Sequence, residues 1–352
     1  MGKRIVSLLC ALLLLAIAGC SSLAAGGPSG GGTEENSIDF YALDTYVVIR
    51  AQGAGDELLE EARTLVETLD AALSVSREDS EIALLNATGE AALSRDTAYL
   101  LDCALKLCWE TGGALDISVY PVTRAWGFPT GEYRVPGQGE LDDLLEHVDF
   151  RRVHIAAGES PTATVPEGTE IDLAGLAEGY AGDRLAELLR EAGVTSALLD
   201  LGSSIRTVGT KPDGTGWSIA VPDPAGSGNL GILTLADQAV ASAGVSQQYF
   251  EDGDGNRWWS VIDPADGYPA DNGLLSVTVV GDEGLYCAAL ARALFVLGPD
   301  AAESFWQAHQ DFEMILVTDR ETVRITPGLS GEYEQVSRTY LLETVDGAAG
   351  DE

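Results

Sequence analysis

Histidine is scarce in this chain, with three in 352 residues: His147, His154 and His309. His147 ends an acidic amphipathic run, His154 lies in a strand-like run and His309 in a late helical one, so no spacing among them suggests a zinc cluster. The one G-x-S-x-G string, Gly27 to Gly31, falls in a Gly/Ser-rich stretch with no strand-like or helical pattern around it, which leaves a hydrolytic triad without its elbow. No G-K-[S/T] phosphate loop occurs either, and the lysine of "VGTKPDG" stands beside a proline, as suits a turn. The glycines Gly175, Gly179 and Gly182 are spaced G-x-x-x-G-x-x-G, not the G-x-G-x-x-G of a dinucleotide fingerprint.

Cysteine and positive charge are also in short supply. Twenty Lys and Arg face 56 Asp and Glu, a formal net charge of −36. Such a chain repels nucleic acid and anionic lipid surfaces, so no nucleic-acid partner is expected. Past Cys20 only Cys103, Cys108 and Cys287 remain. Cys103 and Cys108 sit in the helical pattern "AYLLDCALKLCWETGG", so buried thiols are expected there in place of a disulfide.

Long hydrophobic runs are absent beyond the first twenty residues. "IVSLLCALLLLAIAG" follows Lys3 and Arg4, is too short to span a bilayer comfortably, and ends in "IAGC" before Cys20. That pattern resembles a bacterial lipoprotein signal over residues 1–19, with Cys20 lipidated after cleavage. The mature chain then carries 18 basic and 56 acidic residues, or −38, since the leader holds two basic residues and no acidic ones. It is expected at the cell membrane, lipid-anchored and facing the extracytoplasmic side. Residues 20–37 are Gly/Ser-rich and read as a flexible tether, residues 38–345 as one domain, and residues 346–352 as an acidic tail.

Along the domain, "DFYALDTYVVIRAQG" alternates as strands do, and "GDELLEEARTLVETLDAALSV" has apolar residues at helical spacing. "ALDISVYPVTRAWGF" reads as extended and then irregular. "RRVHIAA", "TATVPEGTEIDLAG" and "SALLDLGSSIRTVGT" read as strands, and "LYCAALARALFVLG" and "DAAESFWQAHQ" as helices. The segment Ile171–Gly193 starts strand-like and ends helical. Its glycines fit a tightly packed joint or a ligand's close approach equally well. Strands and helices mix without strict βαβ alternation, so the expected class is α+β in a single domain.

Seven stretches then stand together: "LDTYVVI", "LSVSREDSEIALLN", "GGALDISVYPVTRAWGF", "IDLAGLAEGYAGDR", "LLDLGSSIRTVG", "ASAGVSQQYFEDGDGNRWWSVIDPADGYP" and "LLSVTVVGDEGLYCAALARALFVLG". Their order and spacing resemble the ApbE-type family, the FAD:protein FMN transferases, over nearly all of the chain after the tether. The resemblance implies a non-Rossmann α+β domain that takes FAD as substrate. With a bound Mg2+ it splits the diphosphate, joins FMN by a phosphoester to a Thr or Ser of a target protein and releases AMP. For FAD contacts it implies Leu43 at the turn that precedes Thr45, then Ser76, Arg77, Glu78, Asp116, Ile117, Ser118, Asp172 and Glu178. It implies the backbone carbonyl of Gly175 as a metal ligand.

This chain departs from the family pattern where the chemistry is expected. The position that commonly carries His before "IDP" is Ser260. The pattern A-D-x-x-x-T, whose Asp and Thr bind the metal, reads "CAALAR", with Ala288 and Arg292 at the two ligand positions. Alanine offers no ligand and arginine cannot bind a cation. Two readings stay open: a transferase that neutralises the diphosphate with Arg292, or a catalytically degenerate FAD-binding or scaffold lipoprotein of the same family.

The leader generates the first prediction. Cys20→Ser should release the protein from membranes and remove the lipid mass. Fractionation and intact-mass measurement check this, and unchanged membrane retention would refute the anchor.

Overall fold

Apolar side chains on alternate positions build the large sheet, because successive strand residues face opposite sides. Phe40, Ala42, Val47, Ile49 and Ala51 are buried between exposed or half-buried neighbours on the strands Glu35–Ala42 and Thr45–Gln52. The computed structural model describes residues 34–226 and 228–346. The expected signal, Cys20, most of the tether and residues 347–352 lie outside them. The first strand begins at Glu35, three residues ahead of the expected domain start at Ile38. Its polar opening "ENS" sits on a sheet edge, where one side faces water and no apolar pattern is needed.

Nine strands form the sheet in chain order: Glu35–Ala42, Thr45–Gln52, Ala197–Leu201, Ser204–Val208, Ala239–Gly244, Leu274–Gly281, Glu313–Thr318, Thr322–Ile325 and Leu341–Thr344. Every pair is antiparallel except the last, which is parallel. A dinucleotide fold needs parallel strands joined by crossovers, so this topology is α+β and not Rossmann. The helices are α1 (Asp56–Leu73), α2 (Glu81–Thr88), α3 (Arg95–Glu110), α4 (Tyr120–Trp126), α5 (Gln138–Leu145), α6 (Ala174–Glu191), α7 (Gly284–Leu297) and α8 (Pro299–His309). Helices α1, α3 and α6 cover the first strands with Val66, Leu100, Leu185 and their neighbours. Helices α7 and α8 cover the later ones with Leu290, Phe295 and Trp306. A three-stranded sheet, Trp217–Pro222, Asn229–Leu235 and Tyr333–Gln335, packs on Val280, Ile315 and Val317.

Three sequence expectations are corrected. Residues 117–126 are not extended: Ile117–Val119 is a 3-10 turn and α4 follows directly. Pro121 stands in the first turn of α4, where its fixed φ suits a helix and its missing N–H costs nothing. Ile171–Leu173 belongs to no strand. The side-chain amide of Asn86 serves instead, accepting from the Ile171 N–H and donating to its carbonyl, both at 2.8 Å. Likewise "RRVHIAA" and "TATVPEGTEIDLAG" hold only the short strands His154–Ala156 and Thr162–Thr164. Cys103, Cys108 and Cys287 are free thiols; Cys108 is buried as expected, whereas Cys103 is only half-buried.

Helices α6 and α7 run antiparallel and very close. Asp183 accepts from the backbone N–H groups of Gly284 and Leu285 at 2.7 and 2.9 Å, capping α7 from the neighbouring helix. One turn along, a Cβ on Gly179 would lie 2.2 Å from the Gly284 carbonyl oxygen and 3.0 Å from the Ala288 Cβ. One turn further, Gly175 meets Arg292. The glycine spacing of residues 175–179 is therefore a helix-contact pattern, with small residues where two backbones touch. Gly179→Ala should lower stability by about 1–3 kcal/mol, the cost of overpacking a filled contact. Gly139→Ala, on a helix with nothing within 4 Å of the added Cβ, should leave it unchanged or higher. Urea midpoints of the two variants decide the matter.

Candidate flavin and phosphate site

Four segments far apart in sequence close on one cavity. The 114–123 stretch brings Asp116 and Ile117, the start of α6 brings Asp172 and Gly175, the 260–264 loop brings Ser260, and the middle of α7 brings Arg292. Each segment is tied down locally. Asp116 accepts from the Ser118 N–H at 2.8 Å, the Ser118 hydroxyl at 2.6 Å and the Phe150 N–H at 3.2 Å, so both its oxygens are engaged. The Asp172 N–H donates to the Ile117 carbonyl at 2.9 Å, which joins two of the four segments. Its carboxylate accepts from the Ala174 N–H at 2.8 Å, the first free donor of α6.

The two aromatic motifs hold the 260–264 loop in place. Trp126 of "WGF" donates its indole N–H to the Gly267 carbonyl at 2.8 Å and meets Tyr268 edge-on at 5.7 Å. Gly267 has φ 77°, a conformation that favours glycine. Asn272 donates to the Phe295 and Val296 carbonyls at 2.7 and 3.0 Å and closes the end of α7. Sequence reasoning missed Asn272, Asp183 and Asn86.

Arg292 is half-buried, and its Nε donates to the Gly175 carbonyl at 3.2 Å. A Cβ on Gly175 would lie 2.3 Å from that Nε, so the glycine is what lets the guanidinium lie down there. Ala288, at the other expected ligand position, is buried against Gly179. Glu178 lies one turn along α6 from Gly175 and accepts from the Ser203 N–H at 3.0 Å and from the Ser203 hydroxyl. The remaining expected contacts lie off this cavity. Leu43 and Asp44 form the turn of the 35–52 hairpin at φ 53° and 57°, left-handed values that aspartate tolerates and leucine rarely adopts. Ser76, Arg77 and Glu78 are on the exposed turn between α1 and α2, where Arg77 pairs with Asp79 at 3.5 Å. Burial raises the pKa of Asp70, and both turns act on it as well: the Leu43 N–H lowers it, Asp44 raises it and Arg77 lowers it.

Burial dominates the electrostatics of the carboxylates. It raises the pKa of Asp116 against the opposing bonds from Ser118 and Phe150. It raises Asp172 despite the Ala174 N–H and Arg292, with Asp44 adding to the shift. It raises Glu178 despite Ser203 and Arg292. Asp183 and Asp200 shift the same way. A carboxyl that holds its proton more tightly folded than unfolded stabilises the fold while protonated, and that contribution fades as pH rises through the folded value. Melting should therefore occur at higher temperature at pH 5 than at pH 8, and Asp172→Asn should flatten the difference. Calorimetry at constant ionic strength checks this, and a melt that rises with pH would refute it.

Comparison with known proteins gives the family. The chain is 29% identical over 303 residues to a protein of Treponema pallidum named FAD:protein FMN transferase, covering 81% of this chain and 83% of that one. It is 31% identical over 282 residues to a protein of the same name from Vibrio cholerae, covering 77% and 83%. The crystal structure of the ApbE protein of Thermotoga maritima superposes with a TM-score of 0.74 at 26% identity, covering 86% of this chain and 97% of its own. The profile of the ApbE family matches residues 43–316, and the chain belongs to the ApbE family.

Proposed function

We propose that this chain binds FAD in the cavity at the start of α6 and transfers its FMN half to a Ser or Thr hydroxyl of a target protein. The carrying observation is convergence: Asp116, Ile117, Asp172, Gly175, Ser260 and Arg292, spread over 177 positions (292 − 116 + 1), line one cavity. In the reaction the hydroxyl oxygen forms a bond to the FMN-side phosphorus. The bond from that phosphorus to the bridging oxygen breaks, and AMP leaves with the electron pair. The hydroxyl proton needs an acceptor, and Ser260 is a poor one. Asp172 fits better, because burial raises its proton affinity over the opposing Ala174 N–H, Arg292 and Leu173 N–H, and among the described residues no side chain hydrogen-bonds its carboxylate.

The residues do not fit the Mg2+ that the resemblance implies. Ala288 has no ligating atom, Arg292 brings a positive charge, and the Gly175 carbonyl already accepts from Arg292. No group of three His, Cys, Asp or Glu among the described residues is placed to hold a metal. These same observations favour a second reading, an FAD-binding scaffold that no longer transfers. In either case the "IAGC" pattern at Cys20 supports a lipoprotein anchored on the extracytoplasmic face, the side on which a target protein is then expected.

The full chain in detergent, loaded with FAD and passed over a sizing column, should carry flavin absorbance in the near-UV and blue. Incubation with FAD and an envelope extract from cells lacking this chain should release AMP and give a flavin-fluorescent protein band. Bound flavin without AMP selects the scaffold reading. Absence of bound flavin overturns both.

A further inference from the structure

We infer that Arg292 is a built-in cation for the diphosphate, and that this chain binds FAD without a divalent metal. The inference rests on the FAD reading above and adds what holds the phosphates. Among the residues lining the cavity Arg292 is the only basic one, while Asp116 and Asp172 are acidic. A pair of carboxylates repels a diphosphate unless a positive charge stands between them and the ligand. Arg292 is fixed for that task at both ends of its side chain. Its stem rises from α7 one turn after Ala288, on the face turned to α6, and its Nε is held by the Gly175 carbonyl.

The rest of the guanidinium stays available. Of its five N–H donors one goes to Gly175, and among the described residues no carboxylate lies within 4.0 Å of its nitrogens. Asp172 and Glu178 are near enough for Arg292 to favour their ionised forms, so its charge reaches the cavity without being spent on a contact pair. Four donors in a planar fork match the oxygens of a phosphate, and a guanidinium stays protonated throughout the physiological range. A metal ion and this side chain compete for the same carbonyl, and the side chain is covalently present.

The test titrates FAD, ADP and riboflavin onto the full chain, once in EDTA and once in MgCl2, for wild type, Arg292→Ala, Arg292→Lys and the double variant Ala288→Asp with Arg292→Thr. ADP carries the diphosphate without flavin, and riboflavin the flavin without phosphate. Wild type should bind FAD equally in both buffers, within about twofold. Arg292→Ala should weaken FAD and ADP by about 10- to 100-fold, the loss of a charged hydrogen-bond donor, and leave riboflavin within about twofold. Arg292→Lys should fall between them, and it decides the point if the alanine variant melts at assay temperature. The double variant should bind FAD tightly only in MgCl2 and should take up Mn2+, read by calorimetry without flavin. A tenfold gain of wild-type FAD affinity in MgCl2, or Arg292 variants equal to wild type, overturns the inference while FAD binding stands. No FAD binding by wild type in either buffer overturns the FAD reading and the inference together.

Discussion

The site depends on how closely α6 and α7 touch. Asp183 against Gly284, Gly179 against Gly284 and Ala288, and Gly175 against Arg292 form a ladder with a rung every helical turn. Two antiparallel helices can keep such a register only while every rung is small or polar at the backbone, because a Cβ at Gly179 would stand inside the Gly284 carbonyl. The ladder fixes what lies at its open end. Gly175 presents a carbonyl and no side chain, and Arg292 reaches over it. The sheet, the aromatic lobe and the caps at Asn86 and Asn272 hold the two helices and the two facing loops at that spacing.

The electrostatic design follows from that packing. The cavity wall gathers carboxylates whose burial raises their proton affinity, in a chain with 36 more acidic than basic residues. Most of those acidic residues face water, where screening over about 10 Å makes their field weak at the site. Within the cavity, partial burial lowers the effective dielectric, and one guanidinium outweighs many distant surface charges. A strongly negative protein can therefore keep a phosphate site so long as the local cation is fixed and partly shielded.

Much of the fold was legible from pattern. The alternation in residues 38–51 gives strands, and the helical spacing in 56–73 and 284–297 gives α1 and α7. The misread pieces share one cause, a local signal answered by a distant partner. Ile171 looks like a strand residue, and its strand-like bonding is completed by the Asn86 side chain, 85 positions away. The stretch around Pro121 reads as extended and then irregular, yet Pro121 stands in the first turn of a helix and Asp116 ties the preceding 3-10 turn to Phe150. At the site, family positions identified which segments meet, but only coordinates could show that Ser76, Arg77 and Glu78 stay on an exposed turn. The glycine triplet illustrates both limits. Its spacing announces close approach, but not by what: Gly175 and Gly179 meet α7, a hundred residues on, and Gly182 meets Leu201 and Arg206 of the sheet.

On the reading proposed above, Ala288 and Arg292, at the two ligand positions that the family resemblance implies, make physical sense as a unit. A divalent cation held by one carboxylate leaves a single net positive charge facing the diphosphate, and one guanidinium supplies the same charge. Changing only the aspartate position to alanine would leave the cation without its anionic ligand. Changing only the threonine position to arginine would set a guanidinium beside that aspartate, and the two would form an ion pair that cancels the charge meant for the phosphates. Together the changes remove the carboxylate that would capture the arginine and seat its Nε on the carbonyl that would have faced the metal. Ala288 also lets α7 lie close enough to Gly179 for the arginine stem to reach Gly175, so packing and charge ask for the same pair of residues.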